Sequence, residues 1–317
     1  MIEMPALPEH DKTDVVESAI VTRLAGNWST RAAVKRSEPN LDDLFDHSKH
    51  DYPEALIPFA EHDCYLGLEE GAKERIRAWA WIAFNKNVMD VEQHVVNPGF
   101  SLLARDTFDT GMGDVLAIAV TQAMVDEHYH TLMHLNASAL TRRQRGWAMS
   151  ERALPFGATI RRQRESQIAA SSSSEAALSA LAYTTVAEIS ITSYLDLIED
   201  NELIQPVNRA TVRMHNRDEY CHASIADEMA TIVFETLGNS DRRLFLDGLA
   251  AGMSAFSATD FFTWETILGH EHVHGWEAML ADVRHEPSRQ LLVQDYSGIR
   301  SLCRKLGVED EIGIDWP

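Results

Sequence analysis

The sequence predicts an all-α protein built as a bundle of long helices. Apolar residues recur at the period of an α-helix through most of the chain, and no run of alternating β-branched residues suggests a strand. Clusters of glycine and proline divide these periodic stretches into long segments. At 317 residues the chain is long enough to bury a sizeable core. We therefore expect four long helices at the centre, with additional helices packed against them.

The first half of the chain contains two of the four long helices. A leading helix is predicted around residues 12–36, followed by an ordered arm rich in proline and aspartate that extends to residue 63. The first long helix is predicted over residues 66–96, ending before the Asn-Pro-Gly triplet at 97–99, which is a strong helix breaker. After a short helical piece, a glycine-flanked turn precedes the second long helix, predicted over residues 114–147.

The other two long helices follow a long connection at residues 150–174, which is basic and then serine-rich. The polyserine run is predicted to begin the third helix, because Ser172 and Glu175 have the spacing of a capping box ahead of an apolar pattern. That helix would extend to about residue 200. Pro206 is placed to begin the fourth helix, which would end near residue 238.

The remaining sequence predicts helices that pack around this bundle, at residues 241–268, 274–284 and 288–306. We expect a single domain over residues 1–317. Within it we distinguish three parts: an N-terminal helix and arm (1–65), the ligand-bearing bundle (66–238) and additional C-terminal helices (239–317).

Composition limits the possible partners and the compartment. The formal net charge of −21 repels phosphate backbones, so nucleic acid is not an expected partner. The N-terminus lacks the features of a signal peptide, and no stretch reaches the roughly 18 apolar residues of a membrane span. We expect a soluble, cytoplasmic protein without a membrane partner. The three cysteines show no C-x-x-C spacing, as is usual in a reducing compartment: Cys64, Cys221 and Cys303.

The clearest chemical signal is the pattern Asp-Glu-x-x-His, which occurs twice inside apolar helical stretches. The two copies are Asp126, Glu127 and His130, and Asp218, Glu219 and His222. A Glu and a His three residues apart lie one turn apart on the same helix face, so both can reach one metal ion. A single such pair usually lies on a solvated face. Two copies on apolar faces instead predict two facing helices around a metal site, because a buried carboxylate is costly without a partner.

Single glutamates upstream of each copy complete the inventory of a two-metal site. Glu92 and Glu188 lie on mostly apolar helix faces. Carboxylate four-helix bundles build di-iron or di-manganese centres from one Glu on each of two helices and a Glu-x-x-His pair on each of the others. The fourth helix adds His215, in register with the second motif. Carboxylates combined with imidazoles suit iron, and manganese is the alternative.

Other polar residues near these motifs have several interpretations. Asp126 and Asp218 are either ordinary exposed acids or partners that accept a hydrogen bond from the far nitrogen of a ligand histidine, and their identical placement favours the second. The His-rich segment at residues 270–274 has poor helix-face geometry and is interpreted as surface or helix-end polarity. Three tyrosines are candidates for radical chemistry or simply for the core: Tyr129, Tyr194 and Tyr220.

These residues resemble those of the AurF-type di-iron N-oxygenases, the p-aminobenzoate N-oxygenase family, more closely than those of ferritins or ribonucleotide reductase small subunits. The distinguishing element is the third histidine, His215, four residues before Glu219. The resemblance covers roughly residues 66–238. Carried over position by position, it implies these metal ligands: Glu92, Glu127, His130, Glu188, His215, Glu219 and His222.

The resemblance implies a ferritin-like fold, often dimeric, that activates O2 at a pair of iron ions. Such an enzyme oxidises an amine nitrogen towards a hydroxylamine, nitroso or nitro product, typically in natural-product biosynthesis. It also implies an external electron donor, such as a reductase, and a homodimer. The alternatives are a ferritin-like di-iron hydroxylase or desaturase acting on C–H bonds, and a non-catalytic iron-binding protein.

The substrate is less constrained than the metal site. The expected pocket residues are Phe84, Asn85, Lys86 and Tyr194, with no clear arginine to hold a carboxylate. Besides p-aminobenzoate itself, the sequence therefore leaves open an aliphatic amine, an amino-acid derivative and a heteroaryl amine.

Overall fold

The computed structural model describes residues 18–37, 40–111, 113–314 and 316, and within them the predicted all-α class is confirmed. No strand occurs in these ranges; extended pairing is limited to the bridges His50–Ile204 and Ala258–Leu291. The helices, in chain order, are α1 (Ala19–Arg31), α2 (Asp63–Leu66), α3 (Glu70–Val91), α4 (Asn97–Ala104), α5 (Asp114–Arg145), α6 (Ala158–Ala169), α7 (Ser173–Glu199), α8 (Pro206–Thr236), α9 (Asn239–Ser257), α10 (Phe261–His270), α11 (Trp276–Arg284), α12 (Pro287–Gln290) and α13 (Ser297–Leu306).

The ferritin-like bundle is formed by α3, α5, α7 and α8, with α1 lying across α5 and α8 and α9 packed on α7. Helix α5 illustrates why these segments pack as they do. Leu116, Val120 and Ala123 form a buried stripe, and the same stripe continues into Glu127 and His130. The apolar face that drives burial thus carries the chemically active residues into the core.

The predicted starts of the third and fourth long helices are confirmed. Ser172 caps α7 by accepting a hydrogen bond from the Glu175 amide, at 3.1 Å. The Glu175 carboxylate reaches back to the amide of Ser171 at 2.8 Å, one residue earlier than in a standard capping box. Pro206 occupies the first turn of α8, where its missing N–H costs nothing.

The predicted helix end before residues 97–99 is wrong. The chain passes from α3 through a π-helical segment, Glu92–Val96, directly into α4. The amide of Asn97 bonds to the Glu92 carbonyl, and this wider turn accommodates Pro98 without breaking the helix. Gly99 is required because a Cβ there would lie 1.9 Å from Oγ1 of Thr184 on α7. The π-helical segment begins at one of the predicted metal ligands.

Four other predicted boundaries need correction. The leading helix is shorter, spanning Ala19–Arg31, and residues 12–17 of the prediction lie outside the described part of the chain. The connection at 150–174 contains helix α6, which was not predicted because its sequence is mostly polar and its buried face is narrow. The helix predicted over 241–268 is divided into α9 and α10, and the one over 288–306 into α12 and α13. Both divisions have one cause, since the two breaks pair with each other: the Thr259 amide bonds to the Gln290 carbonyl and the Leu292 amide to the Ser257 carbonyl.

None of the helices within the described residues is long and apolar enough to cross a bilayer. The division of the chain into an N-terminal arm, a bundle and C-terminal helices stays a prediction.

Candidate metal centre

The seven predicted ligands meet in the middle of the bundle. They come from four elements: the π-helical segment and the helices α5, α7 and α8. Each side chain is at most 2% exposed. The residues are Glu92, Glu127, His130, Glu188, His215, Glu219 and His222.

Six of the seven form two overlapping groups in which one donor atom per residue lies within 4.8 Å of the others. The first group contains Glu92, Glu127, His130 and His215, and the second contains Glu127, His130, Glu219 and His222. Glu127 and His130 belong to both groups and therefore lie between them. Glu188 is in neither group, but its Oε2 is 4.0 Å from Nδ1 of His222.

The cluster has the chemistry of a cation site. Several of its buried polar atoms make no hydrogen bond of acceptable geometry within the described part of the chain. These atoms are Glu92 Oε2, Glu127 Oε1, Glu188 Oε2, His215 Nε2, Glu219 Oε1 and His222 Nδ1. Buried polar atoms are normally satisfied, and four carboxylates packed together repel one another unless cations separate them. The residues present therefore fit a pair of metal ions.

The ionisation of the glutamates reflects this crowding. Burial raises the pKa of Glu92 well above its usual range, and the neighbouring carboxylate of Glu127 adds to the shift. Burial and the same neighbour likewise raise the pKa of Glu188. Without a cation, these two groups favour the protonated form. A bound metal would reverse that preference by stabilising the carboxylates.

The two aspartates of the doubled motif cross between the helices. Nε2 of His222 donates to Asp126 Oδ2 at 3.2 Å, and Nε2 of His130 donates to Asp218 Oδ2 at 3.3 Å. Each aspartate thus holds the histidine of the other copy. Sequence reasoning anticipated contacts with the far histidine nitrogens but did not anticipate the crossing. Because each aspartate is bonded to Nε2, the Nδ1 atoms of both rings are directed to the cluster, where each would present its lone pair to a bound metal ion.

Helix α1 and the turn after it support the aspartates from outside. Nε1 of Trp28 donates to both oxygens of Asp126 at 2.9 Å, and the Ala33 amide donates to Asp218 at 3.0 Å. The Arg31 guanidinium lies between them, 3.9 Å from Asp126 and 3.7 Å from Asp218. Sequence reasoning missed these three residues, since nothing in the local pattern of α1 indicates its neighbours.

His134 is a further site residue that sequence reasoning missed. Its Nδ1 donates to Asn85 Oδ1 at 2.7 Å, and its Nε2 shares a hydrogen bond with His215 Nδ1 at 2.9 Å. Burial lowers the pKa of His134 well below its usual range, so the ring is neutral and accepts from His215. Nε2 of His215 is thereby left to face the cluster. A signal was present: His134 follows Glu127 and His130 at helical spacings of seven and four residues.

One cavity brings together three of the four expected pocket residues, and none of the seven predicted ligands is among its lining residues. Phe84, Lys86 and Tyr194 line it, with Asn87 and Tyr52 among the other lining residues. The rings of Phe84 and Tyr194 stack with centroids 4.7 Å apart. The Phe84 ring centroid also lies 6.3 Å from that of His134, which is hydrogen-bonded to His215. Asn85 points instead towards His134.

The remaining motifs lie elsewhere. In the His-rich segment, Glu271 accepts hydrogen bonds from Arg75 and Trp79, and His270 packs against the Trp79 ring. This agrees with the predicted helix-end role. Tyr220 is 66% exposed, so it is not a core tyrosine.

Comparisons with known proteins agree with this geometry. The family model for p-aminobenzoate N-oxygenase AurF matches residues 14–307, a wider span than the predicted 66–238. The chain is 32% identical over 305 residues to a 4-aminobenzoate N-oxygenase from Streptomyces thioluteus, covering 95% of this chain and 90% of that protein. The chain therefore belongs to the AurF family and is a non-haem di-iron N-oxygenase.

Proposed function

We propose that the seven buried residues bind two iron ions and that the protein uses O2 and external electrons to oxidise the nitrogen of a small arylamine. The observation that carries the proposal is the cluster itself: four carboxylates and three imidazoles, fully buried, with donor atoms that lack hydrogen bonds. When bound, the iron pair would supply the activation of O2. The protein's own residues provide the ligands and hold them in a defined orientation.

The roles within the cluster follow from position. Glu127 belongs to both groups of donors and is proposed to lie between the two ions. His215 adds a neutral donor where a carboxylate would add negative charge, and His134 fixes its orientation. Asp126 and Asp218 hold the other two rings, so none of the three imidazoles is free to rotate.

The cavity favours an aromatic amine that does not need a carboxylate. Phe84 and Tyr194 line it with aromatic surface, and Asn87 provides a neutral polar group. A carboxylate is best bound by an arginine fork. The lining instead offers Lys86, which is already ion-paired with Asp90. We therefore propose an aryl or heteroaryl amine as substrate, with p-aminobenzoate a poorer one.

Iron loading followed by a single turnover tests the proposal. The protein is loaded anaerobically with ferrous iron, its metal content is measured, and it is mixed with O2 and an amine. The panel pairs p-aminobenzoate with its neutral amide, and product masses are read by mass spectrometry. About two irons per chain and N-oxidised products are expected, with the neutral amide converted faster. Iron taken up without any organic product would support a storage protein, and oxidised carbon would support a hydroxylase or desaturase.

The family resemblance further supports a homodimer that works with a reductase in natural-product biosynthesis, and we propose a cytoplasmic location from the composition of the chain. Cysteine usage supports the reducing compartment, since the free thiols Cys64, Cys221 and Cys303 are far apart in sequence. Sedimentation of the purified protein tests the dimer.

A further inference from the structure

Helix α1 and the turn that follows it form a basic segment in an acidic protein. Residues 19–36 contain four basic side chains and no acidic one, whereas the whole chain has a net charge of −21. The basic residues are Arg23, Arg31, Lys35 and Arg36. Arg31 is directed inward to the two aspartates, and the other three are exposed. The segment packs on α5 and α8, the helices that carry the two copies of the metal motif.

A short chain of hydrogen bonds connects this basic segment with the cluster. The ammonium group of Lys35 lies 4.2 Å from the centroid of the Trp28 ring, which is 6% exposed and so lies just beneath the surface. Trp28 donates to Asp126 at 2.9 Å, and Asp126 accepts from His222 at 3.2 Å. Nδ1 of His222 then faces the carboxylate of Glu127, at 2.5 Å. Three side chains thus link the surface to a predicted ligand position.

Among the residues that the structure describes, the other half of the site has no equivalent connection through an aromatic side chain. Asp218, which holds His130, is reached by the backbone amide of Ala33 instead of an aromatic side chain. An indole ring has an extended π system through which an electron can tunnel, and hydrogen bonds couple it to the next group better than van der Waals gaps do. The asymmetry therefore selects the Trp28 side as the better path for electrons.

We propose that a one-electron donor protein with an acidic surface docks on the basic segment and that electrons pass through Trp28, Asp126 and His222 to the metal pair. The donor belongs to the iron–sulfur or flavin class and loses one electron in each transfer, while one ferric ion gains it. Two transfers convert an oxidised pair to a reduced one, and no bond in the three side chains is made or broken. The inference rests on the proposed function, because it requires iron at the cluster.

Charge complementarity argues for an acidic partner. Opposite charges at an interface steer encounter and set orientation, and their effect falls with ionic strength. The chain's net negative charge would repel an acidic partner from most of the surface, so a basic segment that covers the site favours its approach there.

The test compares a protein donor with a small reductant. Oxidised, iron-loaded protein is mixed anaerobically with a reduced acidic ferredoxin or, separately, with reduced methyl viologen, and the loss of ferric absorbance gives a rate constant per loaded centre. The variant Trp28→Phe keeps an aromatic ring but removes the hydrogen bond to Asp126. Lys35→Glu and Arg23→Glu reverse charge on the segment. Arg243→Glu, on α9, is the matched control, because this arginine is also exposed but lies on a helix packed against α7.

Trp28→Phe should slow reduction by ferredoxin about tenfold or more, as loss of a supporting hydrogen bond does elsewhere, and should slow reduction by methyl viologen much less. The two charge reversals should slow only the ferredoxin reaction, and high salt should remove the difference. Arg243→Glu should react like wild type. The proposal would be overturned if ferredoxin reduced Trp28→Phe as fast as it reduces the wild-type protein. It would also be overturned if neither ferredoxin nor an acidic flavodoxin reduced the wild-type protein.

The same experiment separates this inference from the proposed function. If the proposed function fails, the wild-type protein binds no iron pair or yields no N-oxidised product even after chemical reduction. If only the electron route fails, iron content and single-turnover product persist while the variants are reduced at the wild-type rate. Should Trp28→Phe lose iron completely, the charge-reversal variants still decide the docking surface.

Discussion

Asp126 lies in the first copy of the doubled motif, yet its carboxylate accepts a hydrogen bond from His222 in the second copy, at 3.2 Å. The reciprocal contact joins Asp218 to His130 at 3.3 Å. These two crossed hydrogen bonds fix the register of α5 against α8, and they also orient both imidazole rings. Repetition of the motif therefore has a geometric reason: two facing helices each supply the ligand and the support for the ligand opposite.

The first prediction concerns this crossing. Asp126→Asn preserves shape but replaces a charged acceptor with a neutral amide, so His222 is held less firmly and is a weaker ligand. We expect the affinity for iron to fall by roughly 10- to 100-fold, as for other partners of ligand histidines. Competition with a chelator measures it. Asp247→Asn, an exposed aspartate on α9, is the control. An unchanged affinity for iron in Asp126→Asn would show that Asp126 does not support the metal site.

The second prediction concerns Glu127, which belongs to both groups of donor atoms. Glu127→Gln should reduce the iron content from about two per chain to one or none, because both ion positions lose a carboxylate. Glu219→Ala should also lose metal and activity. The matched control is Glu235→Gln, an exposed residue on α8. A Glu127→Gln protein that retains two irons would contradict the position between the ions.

Helical periodicity was sufficient to place seven residues of this site on inward faces, because a carboxylate such as Glu127 on an apolar stripe signals burial directly. It could not reveal partners brought from distant sequence. Trp28 and Asp126 are 98 residues apart and meet only when α1 lies across α5. The spacing of His134 from Glu127 and His130 could have predicted that it belongs to the site, but no acidic residue precedes it as in the doubled motif.

The wrong helix boundaries have related physical causes. A proline ends a helix by removing a hydrogen bond, but Pro98 lies in the first turn of α4, directly after a π-helical segment whose last bond joins the Asn97 amide to the Glu92 carbonyl, and the chain stays helical. The breaks near residues 258 and 291 depend on pairing between those two segments, which no local pattern encodes.

The third prediction concerns the close approach of α4 to α7. Gly99→Ala would place a Cβ 1.9 Å from Oγ1 of Thr184, which is buried and hydrogen-bonded to the Val95 carbonyl. We expect destabilisation of about 1–3 kcal/mol and, since the π-helical segment shifts, weaker iron binding. Gly26→Ala in α1, where a Cβ meets nothing within 4 Å, should instead stabilise by about 0.5–1 kcal/mol. Urea unfolding of the iron-free proteins measures both, and equal effects would contradict the packing argument.

The fourth prediction concerns pH. Burial lowers the pKa of His130, but the carboxylates of Glu127 and Asp218 outweigh it and raise the value to about 10. The pKa of His222 is also raised: burial opposes the shift, and Glu127 and Glu219 produce it. Both rings are therefore protonated in the iron-free protein at neutral pH. Iron must displace these protons, so its apparent affinity should increase as pH rises towards 10.

The stability of the iron-free protein should fall as pH rises, whereas its affinity for iron increases. A histidine whose pKa is higher in the folded than in the unfolded state stabilises the fold fully below its unfolded value of about 6.5, and this contribution is lost as pH rises through the folded value. The raised pKa values of Glu92 and Glu188 also make the folded state less stable as pH rises, because these buried carboxyl groups favour the protonated form. The melting temperature of the iron-free protein should therefore fall between pH 7 and 10, more than that of the iron-loaded protein. A flat profile for the iron-free protein would contradict the protonated rings.

The fifth prediction concerns His215, the residue that distinguishes this site from other carboxylate bundles. Its Nε2 is 2.8 Å from Glu219 and 3.6 Å from Glu92, and its Nδ1 is held by His134 at 2.9 Å. His215→Ala should keep the helical fold and much of the iron, because six ligands remain, while severely depressing N-oxidation. Circular dichroism, metal analysis and single-turnover product yield measure the three effects.

A double-mutant cycle then tests whether His134 acts through His215. Since the Asn85–His134 chain leaves Nε2 of His215 facing the cluster, His134→Leu should lower iron affinity by roughly tenfold and reduce product yield. In a His215→Ala background the same change should have little further effect, because the ring it orients is gone. Fully additive losses of iron affinity would mean that His134 supports the site by a path other than His215. An unaltered product yield in His215→Ala would mean that His215 does not distinguish this site from other ferritin-like di-iron centres.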